Sequence, residues 1–594
     1  MVAQGKKGGH HSAKEKKTVR KESITGETLF DEYRIAFCVH QLLPYIDKVL
    51  GISGTMDFRP IKFENDIMCR LPLVFLCLFM PSSKNLLLAL HIVNVISLGF
   101  WMPSVWDHCV WIMLIESVFV IAAFISKDKA LAMQRFLWAV RPMLITLYFS
   151  AAFWKLTTSF LDQRTSCANT LVAELAAGLF TPEQLPADSQ FVKYLMLSAP
   201  AQIIFIEFLV PIVLWLCPRQ GIPIALAFHG TINLMPVTYA GGFSISMCSR
   251  LFFFEPGTLV AALRAIAKKP MNSSLIASVG TVSIFIALFL KSHQGKIDAS
   301  GFAFFVFSIL YCQSSYANYK SPKLSYTPPK LNWATRLVWF YAFALAIIYG
   351  YLAPIFSFMS MAASTMYGNL IQWGGKPNHL LVPTGFLHDW YRDQGPDWLL
   401  DAFGGGFIRI DAYNSTEFYS QLDGADISDD QPEHARAILA ATGSSGKYYE
   451  FYASRNYYDR KEDHAATALT AFDNKNSVAA GTTKFVFPAY ELRRVLYLAR
   501  NRETDFSIQY IHLPEHLHTL TQWRDFQAPR TISFIVKDGI AICESVGTTS
   551  DDILPCDHGE TALLPPPPQW LRSLYHPYPL PLLDGVGDNF VCTT

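Results

Sequence analysis

Charge is scarce in this sequence. Lys and Arg number 49 and Asp and Glu 48, so charged residues fill 16% of 594 positions, against about 25% in an average soluble domain. That scarcity excludes a disordered chain, which is rich in charge and poor in apolar residues. It also argues against a row of soluble enzyme domains, which length alone would suggest at about 150 residues per domain. A net charge of +1 leaves no basic surplus with which to hold nucleic acid. Eleven cysteines are too few for a small disulfide-stapled secreted scaffold. The basic start lacks the apolar core of about 7–15 residues that a cleavable signal peptide needs.

Apolar residues take the place of charge: 51% of the chain is hydrophobic, 14% is aromatic, and mean hydropathy is +0.22. This composition predicts an integral membrane protein. A bilayer core of about 30 Å takes about 20 apolar residues, and windows at 85–102, 109–125, 137–155, 201–216, 221–247, 274–290, 301–319 and 335–358 approach or meet that length. With the shorter runs 71–80 and 250–265 the expectation is a bundle of about eight to ten membrane helices. Residues 29–50 are apolar but interrupted by Asp31, Glu32, Arg34 and Asp47, which reads as an interfacial or protein-buried helix. Residues 1–28 form a polar tail with Lys6, Lys7, Lys14, Lys16, Lys17, Arg20 and Lys21, expected on the cytosolic side by the positive-inside rule. Lys127, Lys129, Arg135 and Arg219 fit the same side, which puts the turn 103–108 and the loop 156–200 on the other.

Past residue 365 the pattern changes to alternating, β-branched runs at 407–413, 448–453, 484–487, 507–512 and 531–536. Ile532–Val536, Lys537-Asp538-Gly539 and Ile540–Cys543 read as a hairpin, because Asp-Gly supplies the positive-φ turn that twisted strands need. Residues 366–594 are therefore expected to form a β-rich extracytosolic domain behind a helical domain at 29–365. One disulfide among Cys543, Cys556 and Cys592, and the acceptor pattern at Asn414-Ser-Thr, would both belong on an extracytosolic side. The other eight cysteines lie in or beside membrane segments and are read as small hydrophobes. His512, His516 and His518 have zinc-like spacing only if helical, and Pro514 between the first two disfavours that, so no metal site is assigned.

An ionisable group at membrane depth costs roughly 2.5–3.5 kcal/mol on insertion scales and needs a reason to be there. The candidates are His108, Glu116, Arg141, Lys155, Glu207 and His229. Arg141 with Glu207 reads as a structural ion pair. His108 and Lys155 approach one extracytosolic mouth beside Trp106, Phe153 and Trp154, which suggests a proton-transfer pocket in which Lys155 is a poorly satisfied charge.

At these residues the sequence resembles the vitamin K-dependent γ-glutamyl carboxylase family with its horizontally transferred transmembrane (HTTM) domain. The stretches that carry the resemblance are Trp106-Asp107-His108-Cys109-Val110-Trp111, Tyr148–Leu156 with Lys155, Phe228-His229-Gly230 with Asn233-Leu234 and Phe243, and Lys376-Pro377-Asn378-His379-Leu380-Leu381 with Pro383. Pro488–Arg494 adds a weaker fifth stretch. Asp107 stands where that family has an amide, and Ala151-Ala152 where it has a glycine. The resemblance implies a lyase of endoplasmic reticulum or another endomembrane, with a lumenal C-terminal domain and a protein or peptide substrate. It implies reduced vitamin K or a related quinol as cofactor, deprotonated by Lys155 with His108 stabilising the anion, so that the oxygenated quinol drives carboxylation of glutamate. Asp107, Trp106, Trp154, His229 and Asn233 would line the cofactor pocket. The alternative reading keeps the membrane fold without carboxylase activity and binds a lipid or quinone.

Overall fold

A computed structural model describes residues 25–49, 63–80, 83–101, 107–235, 241–317 and 329–355. Beyond these it describes 365–368, 370, 378–382, 407–415, 417–418, 424–426, 431–444, 448–451, 485–513, 518–519, 522–523, 530–546, 553–556, 561–566, 580–581 and 592–593. The N-terminal tail lies outside the described residues.

Up to residue 355 the described chain is helical. The helices are α1 (Gly26–Val49), α2 (Phe63–Phe79), α3 (Lys84–Trp101), α4 (Asp107–Phe124), α5 (Lys129–Trp154), α6 (Thr158–Leu161), α7 (Cys167–Leu179) and α8 (Gln190–Leu216). They continue with α9 (Pro218–Ile232), α10 (Gly241–Cys248), α11 (Thr258–Lys268), α12 (Ser273–Ser292), α13 (Ala299–Ala317) and α14 (Trp333–Ile347). The last of these runs through a π-helical turn, Ile348–Leu352, into α15 (Ala353–Ile355). Side-chain caps mark several starts: Asp128, Ser189, Asn272 and Asn332 each accept a first-turn backbone N–H, which satisfies donors a helix otherwise leaves open.

Among the described residues four helical runs are long and apolar enough to cross a membrane by length and composition: Lys129–Trp154, Gln190–Leu216, Ser273–Ser292 and Trp333–Ile355. The windows at 85–102 and 109–125 correspond to the shorter apolar helices Lys84–Gly99 and His108–Phe124. The expected single span at 221–247 divides instead into α9 and α10. Asn233 caps α9 at its C-terminus, and Pro236 just beyond lacks the N–H that a continuing helix would use.

The interrupted N-terminal helix is a core element. Leu29, Phe30, Tyr33 and Phe37 of α1 are buried, with the Tyr33 ring against Phe119, Phe136 and Phe253. Its charges meet helix ends. The Glu32 carboxylate accepts from the backbone N–H of Gly257 and Leu259, both at 2.7 Å, where α11 begins, and Arg34 donates to the Leu78 carbonyl near the end of α2. Opposite charges thus sit at the two kinds of helix terminus that favour them.

The C-terminal half contains a seven-stranded antiparallel sheet. Its strands are β1 (Phe407–Tyr413), β4 (Phe485–Pro488), β5 (Phe506–Leu513), β8 (Arg530–Lys537), β9 (Ile540–Val546), β10 (Ile553–Pro555) and β11 (Leu580–Pro581), in the order β10-β9-β8-β5-β1-β4-β11. A smaller sheet joins β12 (Cys592–Thr593), β3 (Tyr448–Phe451) and β2 (Gly424–Asp426), and β6 (His518–Thr519) pairs β7 (Gln522–Trp523). Alternate residues of the large sheet (Ile408 and Ile410, Ile508 and Tyr510, Ile532 and Phe534) bury one face. That face packs on helix α17 (Ala489–Arg502) through Leu492, Val495 and Leu496. The β8–β9 turn has the expected geometry, with Asp538 at φ 51° and Gly539 at φ 75°. Cys543 and Cys556 form a disulfide. His512 and His518 lie on strands, which removes the helical spacing a zinc site there would need; His516 lies outside the described residues.

The connection 156–200 and the C-terminal half are in contact. Ala173 and Ala176 of α7 share a buried cluster with Ala435, Ile438 and Leu439 of helix α16 (Glu433–Ala441). Gln163 donates to the Thr442 carbonyl at 2.9 Å, and Ser444 Oγ donates to the Gln163 carbonyl at 2.8 Å. Cys167 is disulfide-bonded, which corrects its reading as a simple hydrophobe.

Candidate functional site

Two turns of α5 organise the site. Tyr148 and Lys155 are seven residues apart, so they share a face and stand about 10 Å from each other along the axis. Lys155 caps the helix. Its ammonium donates to the Ala151 carbonyl at 3.3 Å and meets the Glu207 carboxylate of α8 at 2.9 Å, with side chains 4% and 13% exposed. The expected Arg141–Glu207 pair is therefore absent: Arg141 lies fourteen residues before Lys155, about 21 Å down α5, and donates to the Phe253 carbonyl. Lys155 is correspondingly not a poorly satisfied charge.

The segment after α15 clamps this helix end. Leu380 N–H donates to the Leu156 carbonyl at 2.9 Å, Thr158 N–H to the Asn378 carbonyl at 2.8 Å, and Thr157 Oγ1 to the Gly368 carbonyl at 2.8 Å. His379 Nε2 donates to the Phe153 carbonyl at 2.9 Å, while its Nδ1 accepts from Leu381 and Val382. Those partners require one neutral tautomer, and burial holds the imidazole below its ordinary pKa. Trp154, fully buried, donates its indole N–H to the Gly350 carbonyl at 2.8 Å, a carbonyl in the π-helical turn, where the usual i to i+4 ladder is interrupted.

Tyr148 leads to the second part of the site. Its hydroxyl is hydrogen-bonded to His229 Nε2 at 2.8 Å. The rings of His229 and His108 both pack on Phe243, at centroid distances of 5.1 and 5.4 Å. Asn233, the C-cap of α9 four residues past His229, accepts from Ser244 Oγ at 2.7 Å. His229 and Asn233 are fully buried, yet His229 Nδ1 and Asn233 Nδ2 have no hydrogen-bond partner among the described residues.

The expected site residues thus fall into two groups. His108, His229 and Asn233 gather around Phe243, while Lys155 and Trp154 belong to the clamped helix end. Asp107 opens α4 with its side chain undescribed, and Trp106 lies outside the described residues. Ser244 and the pairing of Glu207 with Lys155 carry no motif in the sequence, although helical rise separates Arg141 from Lys155 by about 21 Å and so excludes Arg141 as a partner of the same Glu207. A further buried group, in which Glu116 lies 3.6 Å from His91 and 3.8 Å from Arg250, was legible only at Glu116.

Comparison with known proteins overturns the family resemblance. No carboxylase or HTTM family matches the chain; residues 377–573 match a domain of unknown function (DUF8388). No curated protein and no solved structure matches. The motifs that suggested the carboxylases are short and built from aromatics, alanine and a helix-end lysine, residue types that recur at membrane helix ends for anchoring alone.

Removing one member of a buried ion pair strands the other, at roughly 3–5 kcal/mol. Lys155→Met and Glu207→Leu are each expected to lower the thermal unfolding midpoint of detergent-solubilised protein, and the double variant to recover much of the loss. Additive losses would show that the pair is not coupled.

His379 gives a pH dependence. Its folded pKa lies below the unfolded value near 6.5, so the unfolded state binds the proton first. The stabilisation is complete above about pH 6.5 and is lost as pH falls through that value toward the folded pKa. The unfolding midpoint should fall less between pH 7.5 and 5.5 in His379→Gln than in the wild type; equal slopes would contradict this.

Proposed function

We propose that the chain is a multi-pass membrane protein that binds a lipophilic carbonyl or hydroxyl compound, of the quinone or quinol class, against His229 and Asn233. The observation that carries this reading is the pair of buried atoms His229 Nδ1 and Asn233 Nδ2, without a hydrogen-bond partner among the described residues and set among aromatic rings. A buried polar atom without a partner costs about 1–3 kcal/mol. A ring oxygen accepting from Asn233 Nδ2, or a hydroxyl donating to His229 Nδ1, supplies the missing bond. Phe243 and Phe228, whose rings lie 5.1 and 5.3 Å from that of His229, suit a flat ligand. Lys155 enters as the cation of a structural pair that fixes the α5 end. Carboxylation has no part in this reading, because the resemblance that implied it does not hold.

The same reading places the C-terminal domain and the 156–200 connection on the extracytosolic side of an endomembrane such as the endoplasmic reticulum. Support comes from their mutual contact, from disulfide-bonded cysteines in both parts, which suit an oxidising compartment, and from the basic N-terminal tail. Asn414 is exposed. Expression in cells with a glycosylating secretory pathway should give a glycan that disappears in Asn414→Gln; digestion of a C-terminal tag from the cytosolic face of sealed vesicles would contradict the orientation.

Titration of a short-chain naphthoquinone into protein in lipid nanodiscs tests the binding. Saturable binding is expected, weakened about tenfold by His229→Ala and by Asn233→Leu, the loss of one buried hydrogen bond in each case. Partition without saturation, or affinity unchanged in both variants, would overturn it.

A further inference from the structure

The direction of the hydrogen bonds around His229 determines which kind of ligand oxygen its open atom takes. The Tyr148 hydroxyl and His229 Nε2 lie 2.8 Å apart, both residues buried. A buried phenol O–H needs an acceptor, and among the described residues His229 Nε2 is the one in reach of it. Tyr148 therefore donates and Nε2 accepts. No carboxylate touches His229 among the described residues, so nothing offsets the cost of a charged ring at that depth, and the imidazole is neutral. A neutral imidazole carries one proton, and with Nε2 accepting, that proton stands on Nδ1.

The amide of Asn233 is oriented in the same way. Ser244 Oγ stands 2.7 Å from Asn233 Oδ1 and 3.4 Å from the His229 carbonyl. The shorter distance is that of an O–H···O bond and lies below the usual N–H···O length of about 2.9–3.0 Å. It places the amide oxygen, and not the nitrogen, toward Ser244. His229 Nδ1 and Asn233 Nδ2, which lack a hydrogen-bond partner among the described residues, are thus both donors. Four residues separate them, which puts them on one face of the helix end.

We propose that this site selects the oxidised, carbonyl form of its ligand over the quinol, and that Tyr148 sets the selectivity by holding His229 as the Nδ1–H tautomer. The proposal rests on the quinone-binding reading above and narrows it. A carbonyl oxygen has two lone pairs and no hydrogen, so it satisfies either donor or both. A hydroxyl oxygen also accepts, but its own hydrogen meets an N–H at each open atom and is left unmet, which costs about tenfold in affinity. Tyr148 acts through His229 and is a positioning residue.

Anaerobic titration of the full chain in lipid nanodiscs, with a short-chain naphthoquinone and separately with the quinol made from it by borohydride, tests it. The quinone should bind about tenfold more tightly, which lowers the two-electron midpoint potential of the bound couple by about 30 mV. In Tyr148→Phe the ring can carry its proton on either nitrogen, so the affinity ratio and the potential should return toward those of the ligand free in lipid, with the quinone still bound. Nitrogen NMR of histidine-labelled protein without ligand, assigned by difference against His229→Ala, should show the His229 proton on Nδ1. That spectrum and the wild-type affinity ratio decide the matter should Tyr148→Phe fail to fold. Saturable binding of neither form removes the quinone reading and this proposal with it. Quinol bound as tightly as quinone, or a His229 ring protonated on Nε2, overturns the selectivity alone and leaves that reading in place.

Discussion

The Lys155–Glu207 ion pair is the constraint on which the site depends. A charge taken out of water must be met by an opposite charge and by hydrogen bonds, and it is the geometry of those partners that fixes the surrounding backbone. The pair ties the end of α5 to α8. With that end fixed, the π-helical turn offers the Gly350 carbonyl to Trp154, and the segment from Asn378 to Val382 closes over the exposed turn. Tyr148, two turns down the same face, is thereby held where it can bond His229. Each step is a buried polar group finding a partner, until the chain of partners stops at His229 Nδ1 and Asn233 Nδ2.

The clamp also joins the two halves of the protein. The segment that matches the domain of unknown function begins at residue 377, two residues before His379, so the match starts at the clamp on α5. Its helix α16 packs on α7, and Ser444 bonds the loop at Gln163. Burial of small apolar residues and side-chain hydrogen bonds to backbone carbonyls hold this junction.

The large features were legible because they repeat. Long apolar runs announced α5, α8, α12 and α14, and strict alternation announced β1, β5 and β8, with Asp538-Gly539 marking their tightest turn. Features that depend on a single partner were not. Nothing in the run 221–247 says that Asn233 ends a helix, since its neighbours are as apolar as those of a continuous span. The pairing of Lys155 depends on how α5 and α8 are aligned, and two candidate cations on one helix look alike until rise per residue is counted. The motifs around Lys155 and His229 misled at the level of family because the same residue types anchor membrane helices of many kinds. They nonetheless marked residues that the fold gathers: His108, His229, Asn233 and Phe243.

The functional reading rests on a ligand for His229 Nδ1 and Asn233 Nδ2, the two buried atoms at the C-terminal end of α9 that lack a partner among the described residues. Cryo-electron microscopy of the full chain in nanodiscs with a naphthoquinone present tests it most directly. The account predicts planar density beside Phe243, with an oxygen at hydrogen-bonding distance, about 3 Å, from His229 Nδ1 or Asn233 Nδ2. Density showing both atoms bonded to water or to another side chain, with the quinone elsewhere or absent, would contradict it.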